Sequence, residues 1–150
     1  MGRGLAKTLK GSGLAVTLAV LLGGLAPAAR ADWTPRRDML SWINTARTNH
    51  GARVLVGGWR LRDLADAHSR QMADAGRIFH TPSLGSRLTF LTWRTAGENV
   101  GAGTSMRNLY DAFMRSAPHR ANILAGSYRR IGIGVYRAGG FLWVTLVFVG

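Results

Sequence analysis

The segment Arg130–Val149 constrains the fold more than any other part of the chain. Aliphatic residues alternate with glycine over Arg130–Arg137, Ala138-Gly139-Gly140 has the composition of a turn, and Phe141–Val149 is apolar almost throughout. This order predicts a β-hairpin. A strand that is apolar on both faces must be covered on both faces. Because helical patterns precede the hairpin, the sequence predicts an α+β protein, a three-layer α-β-α sandwich with a central antiparallel sheet.

Two glycines, Gly132 and Gly134, fall on one face of the first strand of this hairpin. Glycine inside a strand is typical of a place where another backbone approaches closely. We therefore expect a helix to lie directly against this face.

Two long helices are predicted before the hairpin. The first follows Thr34-Pro35, a capping residue and a proline at the first helical position, and ends near Gly51. The second runs from about Arg60 to Ala75 and is closed by Gly76. Their buried stripes are expected to be Met39, Trp42, Ile43 and Ala46 in the first, and Leu61, Leu64, Ala65, His68, Met72 and Ala75 in the second.

Shorter helices are predicted in the second half of the chain. A short helix is expected over Ser86–Trp93, and Thr104 is expected to cap a helix that Ala117-Pro118 ends. Residues 119–124 then form a single turn or a short helix. The buried residues of the helix after Thr104 are Met106, Leu109, Tyr110 and Phe113.

The N-terminal residues have the pattern of a secretory signal. Arg3, Lys7 and Lys10 precede an apolar run, and Ala29-Arg30-Ala31 is a small-residue cleavage site. The run to Leu25 is short of the roughly 18–20 residues of a spanning helix. We predict a signal peptide over residues 1–31, a single domain over residues 32–150, and no stable membrane insertion after cleavage; an uncleaved anchor is the alternative.

Composition narrows the chemistry and the partners. The chain has no cysteine, which excludes thiol catalysis and cysteine-type zinc sites. Its net charge is +13, and beyond residue 31 every basic residue other than histidine is arginine. Such a surface attracts anionic polymers or lipid head groups outside the cell, whereas the scattered arginines and the compartment do not indicate nucleic acid. The alternative is that the charge serves solubility alone.

Glu98 is the only glutamate in the chain, and it lies in the glycine-rich segment Thr95–Gly103. Small residues on both sides allow other backbone segments to come close. We therefore expect this carboxylate, with Asn99 beside it, to face a pocket. His80, presented from a turn before Pro82, and His119 are expected to converge on it.

The other two histidines are expected to be structural. His68 lies on the apolar stripe of the second helix, where a histidine is usually a hydrogen-bonded core residue, and His50 lies at the end of the first helix. Arg120 and Asn122 are expected to bond loop carbonyls.

Five segments of the chain are distinctive together: HSRQMADAGRIFHT, AGENVGAG, MRSAPHRANIL, YRRIGIGV and FLWVTLVFVG. In their order and spacing they resemble the superfamily of cysteine-rich secretory proteins, antigen 5 and plant pathogenesis-related proteins, whose domain is called CAP or SCP. The resemblance covers the chain from about Pro35 onward and implies an α-β-α sandwich. The chain resembles a bacterial member of this family.

The resemblance also implies a cleft with two histidines and two acids. His80, Glu98 and His119 match the first histidine, the first acid and the second histidine. The second acid is expected near Ser116, where this chain has serine, and Phe113 stands where the family often has tryptophan. The resemblance therefore implies a ligand-binding set of His80, Glu98, His119, Ser116 and Asn99, with one carboxylate missing.

Three functions remain open at this point. The first is an exported, extracellular binding module for a lipid, a sterol or an anionic envelope polymer. The second is a metal-assisted hydrolase in which His80 and His119 bind zinc and Glu98 acts as a base, although loss of the second acid disfavours catalysis. The third is a protein-interaction scaffold, in which His80, Glu98 and His119 simply bond one another.

Overall fold

The computed structural model of the protein describes residues 33–150, with side chains from Thr34 onward. The predicted signal peptide over residues 1–31 lies outside the described residues. The helices and strands follow one another in the order α1 (Trp33–Asn49), β1 (Val56–Gly57), α2 (Trp59–Ala75), β2 (Ala96–Gly103), α3 (Met106–Arg115), α4 (Ala117–Leu124), β3 (Arg130–Ala138) and β4 (Phe141–Val149).

The four strands form one sheet in the order β1-β3-β4-β2. The predicted hairpin of β3 and β4 lies at the centre, and its turn is made by Gly139 and Gly140, both at positive φ. β4 is antiparallel to both β3 and β2, whereas β1 runs parallel to β3. The central part of the sheet is thus antiparallel, as predicted, and only the two-residue strand β1 makes it mixed.

Each face of the central strand β4 packs against its own hydrophobic core. Val144, Leu146 and Phe148 belong to a core that includes residues of α1, α3 and α4. Val147 and Val149 belong to a second core with Leu61 and Ala65 of α2. Side chains of a strand alternate between its faces, so these two cores lie on opposite sides of the sheet. The predicted three-layer α-β-α sandwich is confirmed.

The glycine face of β3 lies against α2, as expected. A Cβ atom added at Gly132 would overlap the backbone of Leu61, and one added at Gly134 would overlap the backbone of Ala65. Glycine at these two positions therefore allows the helix and the sheet to meet backbone to backbone.

Arg47 is fully buried. Its guanidinium donates hydrogen bonds to the carbonyl oxygens of Arg53 (2.7 Å), Ile123 (2.7 Å), Ala125 (3.0 Å) and Tyr128 (3.3 Å). Burial, together with the charge of Arg129, lowers the pKa of Arg47. This side chain ties the end of α1 to the end of α4 and to the loop that follows it.

Several predicted boundaries were wrong. Ser105, not Thr104, caps α3, because its hydroxyl accepts the backbone N–H of Asn108. Pro118 lies in the first turn of α4, where its missing N–H costs no hydrogen bond, so it begins that helix. The helix expected over Ser86–Trp93 is a 3₁₀ turn at Leu84–Arg87.

Two further predictions about the elements were wrong. The first helix begins at Trp33, so Thr34 lies inside α1 and is not its cap. Ala75, expected on the buried stripe of α2, is exposed in its last turn.

None of the helices within residues 33–150 combines the length and the apolar character that crossing a bilayer requires. Residues 33–150 lie in one compact unit, and both cores and the whole sheet are made of residues within it.

Candidate functional site

Glu98 lies near the middle of β2, an edge strand of the sheet, opposite Val147 of β4. Its side chain is only 4% exposed. The carboxylate accepts hydrogen bonds from the backbone N–H of Thr81 (2.9 Å), the hydroxyl of Thr81 and Nδ1 of His80 (2.8 Å). The lone glutamate therefore meets His80, and both of its oxygens are occupied by donors from the segment before Pro82.

His80 is the exposed member of this group. Its side chain is 65% exposed, and its Nδ1 atom is held by the buried carboxylate of Glu98. A carboxylate on Nδ1 fixes the orientation of the ring and, in the neutral imidazole, leaves Nε2 as the acceptor. Within residues 33–150, the Nε2 atom of His80 has no hydrogen-bond partner.

His68 supports the segment that carries His80. It is buried, its Nε2 lies 2.7 Å from the carbonyl oxygen of Phe79, and its ring meets the ring of Phe79 edge to face at 5.0 Å. The prediction that His68 is a hydrogen-bonded core residue is confirmed. Its bond to Phe79 fixes the backbone immediately before His80.

His119 approaches the same cleft from α4. Its ring packs edge to face on Phe113 at 5.2 Å. Burial, and then the charge of His80, lower the pKa of His119. The two imidazoles are thus close enough for the charge of one to disfavour protonation of the other.

The expected three-way network does not form, because the imidazole of His119 makes no hydrogen bond to Glu98 within the described part of the chain. Thr81 takes that place on the carboxylate. His119 therefore lies near His80 without being tied to the carboxylate of Glu98.

Asn99 and Asn122 join α4 to β2. Asn99 Nδ2 donates to the carbonyl oxygen of His119 (3.0 Å), and Asn122 Nδ2 donates to the carbonyl oxygen of Glu98 (3.1 Å) and to Asn99 Oδ1 (2.9 Å). Asn99, which is among the predicted ligand-binding residues, is fully buried, and its bond to the His119 carbonyl positions the helix that carries His119. The structural role expected for Asn122 is confirmed.

Ser116 lies between α3 and α4, and its side chain is half-buried. Its hydroxyl makes no capping hydrogen bond to α4, and among residues 33–150 it has no hydrogen bond to His119. The position at which the resemblance implies a second acid thus supplies no carboxylate to the cleft. Arg120 was expected to bond a loop carbonyl, but it donates to the carbonyl oxygen of Met114, which lies in the last turn of α3, at 3.3 Å.

The residues present do not make a complete zinc site. Zinc sites in proteins use three or four protein ligands. Within residues 33–150 no group of three histidine or acidic side chains is arranged to hold a metal ion, and the carboxylate of Glu98 is already bonded on both oxygens. The cleft offers two imidazoles, so we derive no chemical step through a metal.

Sequence reasoning missed Thr81 and Tyr128. Thr81 is buried and gives Glu98 two of its three hydrogen bonds. Tyr128 lies so close to β2 that a Cβ atom at Gly97 would overlap its hydroxyl. Thr81 could have been suspected as a buried hydroxyl next to a candidate histidine, whereas the sequence has no signal that pairs Tyr128 with Gly97.

Most of the chain matches a known protein family. Residues 40–148 match the family described as CAP, the cysteine-rich secretory protein family. The chain belongs to this family. The resemblance drawn from the five sequence segments is thereby confirmed, and the match extends over the sheet and over all the cleft residues.

Individual relatives agree with that assignment. The chain is 32% identical over 121 residues to the uncharacterized protein YkwD of Bacillus subtilis, an alignment that covers 76% of this chain and 46% of YkwD. An extracellular protein with an SCP domain from Bacillus anthracis, known from a crystal structure, is 27% identical in sequence to this chain. The two structures align with a TM-score of 0.68 over 75% of this chain and 39% of that one. A cysteine-rich secretory protein of Staphylococcus aureus, at 22% identity, shares the fold with a TM-score of 0.67 over 81% of this chain and 40% of that one. The chain therefore spans less than half the length of these relatives.

Proposed function

We propose that the protein is an exported CAP-family binding module. Its ligand is a component of the cell envelope, a lipid, a sterol or an anionic polymer, held at the cleft of His80, Glu98 and His119. The arginine-rich surface attracts anionic ligands to the domain. Catalysis is not part of this proposal.

The engagement of Glu98 carries the proposal. A general base must have a free lone pair within reach of the proton that it removes. The carboxylate of Glu98 already accepts three hydrogen bonds, which leaves about one of its four lone-pair positions. Its side chain is 4% exposed, and no second carboxylate replaces it at Ser116. This supports a role for Glu98 in orienting His80 rather than in proton abstraction from a substrate.

The extracellular location rests on two observations. The N-terminal residues have the pattern of a signal peptide, and the B. anthracis relative is an extracellular protein. A domain without cysteine needs no oxidative folding, so its hydrophobic cores alone stabilise it after export.

Binding at the cleft can be tested with residues 32–150 and three probes: peptidoglycan sacculi, a soluble short-chain phospholipid and a sterol. We expect at least one probe to bind, and the double variant His80→Ala, His119→Ala to weaken that binding about tenfold while the circular dichroism spectrum is retained. The matched control is His50→Ala, which removes an exposed histidine at the end of α1. Equal binding by the wild type and the double variant would overturn the cleft as the ligand site.

The alternative of a metal-assisted hydrolase is favoured by one observation, the carboxylate that orients His80. Titration calorimetry with zinc tests it. With two imidazoles as ligands, we expect the wild type and the His80→Ala, His119→Ala variant to differ by less than about tenfold in zinc affinity. A larger difference, together with hydrolysis of a peptide or peptidoglycan pool that Glu98→Gln abolishes, would favour the hydrolase.

A further inference from the structure

Three of the six large apolar side chains that are exposed in the described chain lie in the segment 54–59. They are Val54 (54% exposed), Val56 (64%) and Trp59 (64%), and the others are Ile78, Trp93 and Phe141. A cluster of exposed apolar residues marks an interaction surface more often than single ones do. This cluster lies at the β1 edge of the sheet, far from the cleft edge at β2.

Trp59 stands between two cavities. One, of about 290 Å³, has an aliphatic wall of Leu40, Ile131 and Ile133 and carries Arg37 at its rim. The other, of about 200 Å³, lies between Trp59, Phe90 and Arg130. The indole of Trp59 is therefore an exposed apolar group that lines two cavities, each large enough for part of a lipid molecule.

Positive charge surrounds this tryptophan. Arg37 and Arg130 line the two cavities, and the guanidinium of Arg60 lies 4.9 Å from the centre of the indole. None of these three side chains forms an ion pair with an acid of residues 33–150. Trp59 also begins α2, whose cap Gly58 supplies no side-chain oxygen, so the positive end of the helix dipole adds to the same surface. We name Val54, Val56, Trp59, Arg37, Arg60 and Arg130 the tryptophan edge.

We propose that the tryptophan edge docks on the surface of an anionic lipid bilayer. An exposed indole beside aliphatic side chains suits the boundary between head groups and acyl chains. Unpaired arginines around it suit lipid phosphates, which supply the charge that the edge lacks. The inference rests on the export that the proposed function includes, but it uses none of the cleft residues.

Apolar and cationic features together favour this occupant over others. A second copy of the chain would bring the same arginines face to face, which like charges disfavour. A soluble anionic polymer would leave Val54, Val56 and Trp59 in water. Only a surface that is anionic outside and apolar beneath satisfies both halves of the edge.

Vesicle flotation of residues 32–150 tests the proposal. We expect the domain to float with vesicles of phosphatidylcholine and phosphatidylglycerol, and not with phosphatidylcholine alone. Trp59→Ala should weaken this binding about tenfold, because the largest apolar group of the edge is lost. The matched control is Phe141→Ala, which removes an aromatic side chain of similar exposure (45%) at the hairpin turn, the other end of β3 from β1, and should leave binding unchanged.

A second pair of variants separates the edge from net charge. Arg37→Gln, Arg60→Gln, Arg130→Gln and the control Arg77→Gln, Arg115→Gln, Arg137→Gln remove the same number of charges from exposed positions. We expect the first triple to weaken binding about tenfold more than the second, since arginines act on lipid head groups within about a Debye length.

Four results would overturn the proposal. They are no flotation of the wild type, equal effects of the two aromatic variants, equal effects of the two arginine triples, or a dimer in analytical ultracentrifugation that Trp59→Ala dissociates. Trp59→Ala should bind the soluble probes of the cleft like the wild type, so failure of the cleft and failure of the edge give different results.

Discussion

Arg47 and Glu98 are both charged side chains with almost no exposed surface, but their surroundings differ. The guanidinium of Arg47 donates only to backbone carbonyl oxygens, and no exposed side chain takes part in these hydrogen bonds. The carboxylate of Glu98 accepts from Thr81 and from His80, and the His80 side chain is 65% exposed. The first network is closed, whereas the second ends at the surface.

This difference separates a charge that only supports the fold from one that also orients an exposed side chain. A closed network stabilises the fold and can respond to nothing outside it. In the second network the buried carboxylate of Glu98 sets the orientation of the exposed His80 ring. Burial alone would have ranked Arg47 above Glu98 as a site residue; what distinguishes them is the group to which each is bonded.

The largest effect is expected at the closed network. Arg47→Met should lower the free energy of unfolding by about 3–5 kcal/mol, because it leaves buried carbonyl oxygens without donors. Urea denaturation measures it, with Arg137→Met, an exposed arginine of β3, as the control. A loss below about 1 kcal/mol would mean that water replaces the guanidinium and that the network is not closed.

A smaller effect is expected at the open network. Glu98→Gln should cost about 2–3 kcal/mol of stability, because an amide cannot accept all three hydrogen bonds that the carboxylate accepts. The NMR signals of the His80 ring should shift at the same time, since the ring loses its anchor. Asp111→Asn, which removes a carboxylate from an exposed i,i+4 pair with Arg107, should cost a few tenths of a kcal/mol at most.

Gly97, which precedes Glu98 in β2, gives the third test. Gly97→Ala should cost about 1–2 kcal/mol, because the new Cβ overlaps the hydroxyl of Tyr128. Tyr128→Phe in the same chain should recover part of that loss. If the double variant is as unstable as the two single losses added together, the overlap is not the cause.

The smallest effect is the pH dependence due to His119. Because burial and His80 lower its pKa below the ordinary 6.5, the unfolded chain binds a proton more readily than the folded one. The contribution of neutral His119 to the free energy of unfolding is therefore fully present above pH 6.5. It is lost as the pH falls from 6.5 through the lower pKa that His119 has in the folded protein. Urea midpoints below pH 6.5 should fall less steeply in His119→Gln, and an unchanged slope would contradict the assignment.

The sequence predicted the centre of the fold well because strong patterns encode it. An almost wholly apolar β4 and a strand β3 with glycine on one face leave few alternatives to a covered hairpin. β1 has only two residues, too few to show alternation, and β2 contains Gly97, Gly101 and Gly103, which disfavour a strand by composition. These glycines are present because Tyr128, Phe113 and Leu109 occupy the space where side chains would lie.

The site was predicted in part for a similar reason. A single glutamate between small residues indicates a special position, and the family resemblance agreed with the two histidines that were already expected beside it. That Thr81 takes the place of His119 on the carboxylate depends on how the segment before Pro82 lies against β2, which no local pattern specifies. Arg47 is missed by any rule that places charge outside, although it follows Ile43 by four residues on the buried stripe of α1.

The position of β4 has a consequence for how the chain folds. It is the last strand in sequence, yet it separates β3 from β2 and supplies residues to both hydrophobic cores. Until residues 141–149 have left the ribosome, β2 has no neighbour to pair with and α2 has only half of its surface to cover. Within residues 33–150 the sheet and both hydrophobic cores are therefore completed only when β4 has been synthesised.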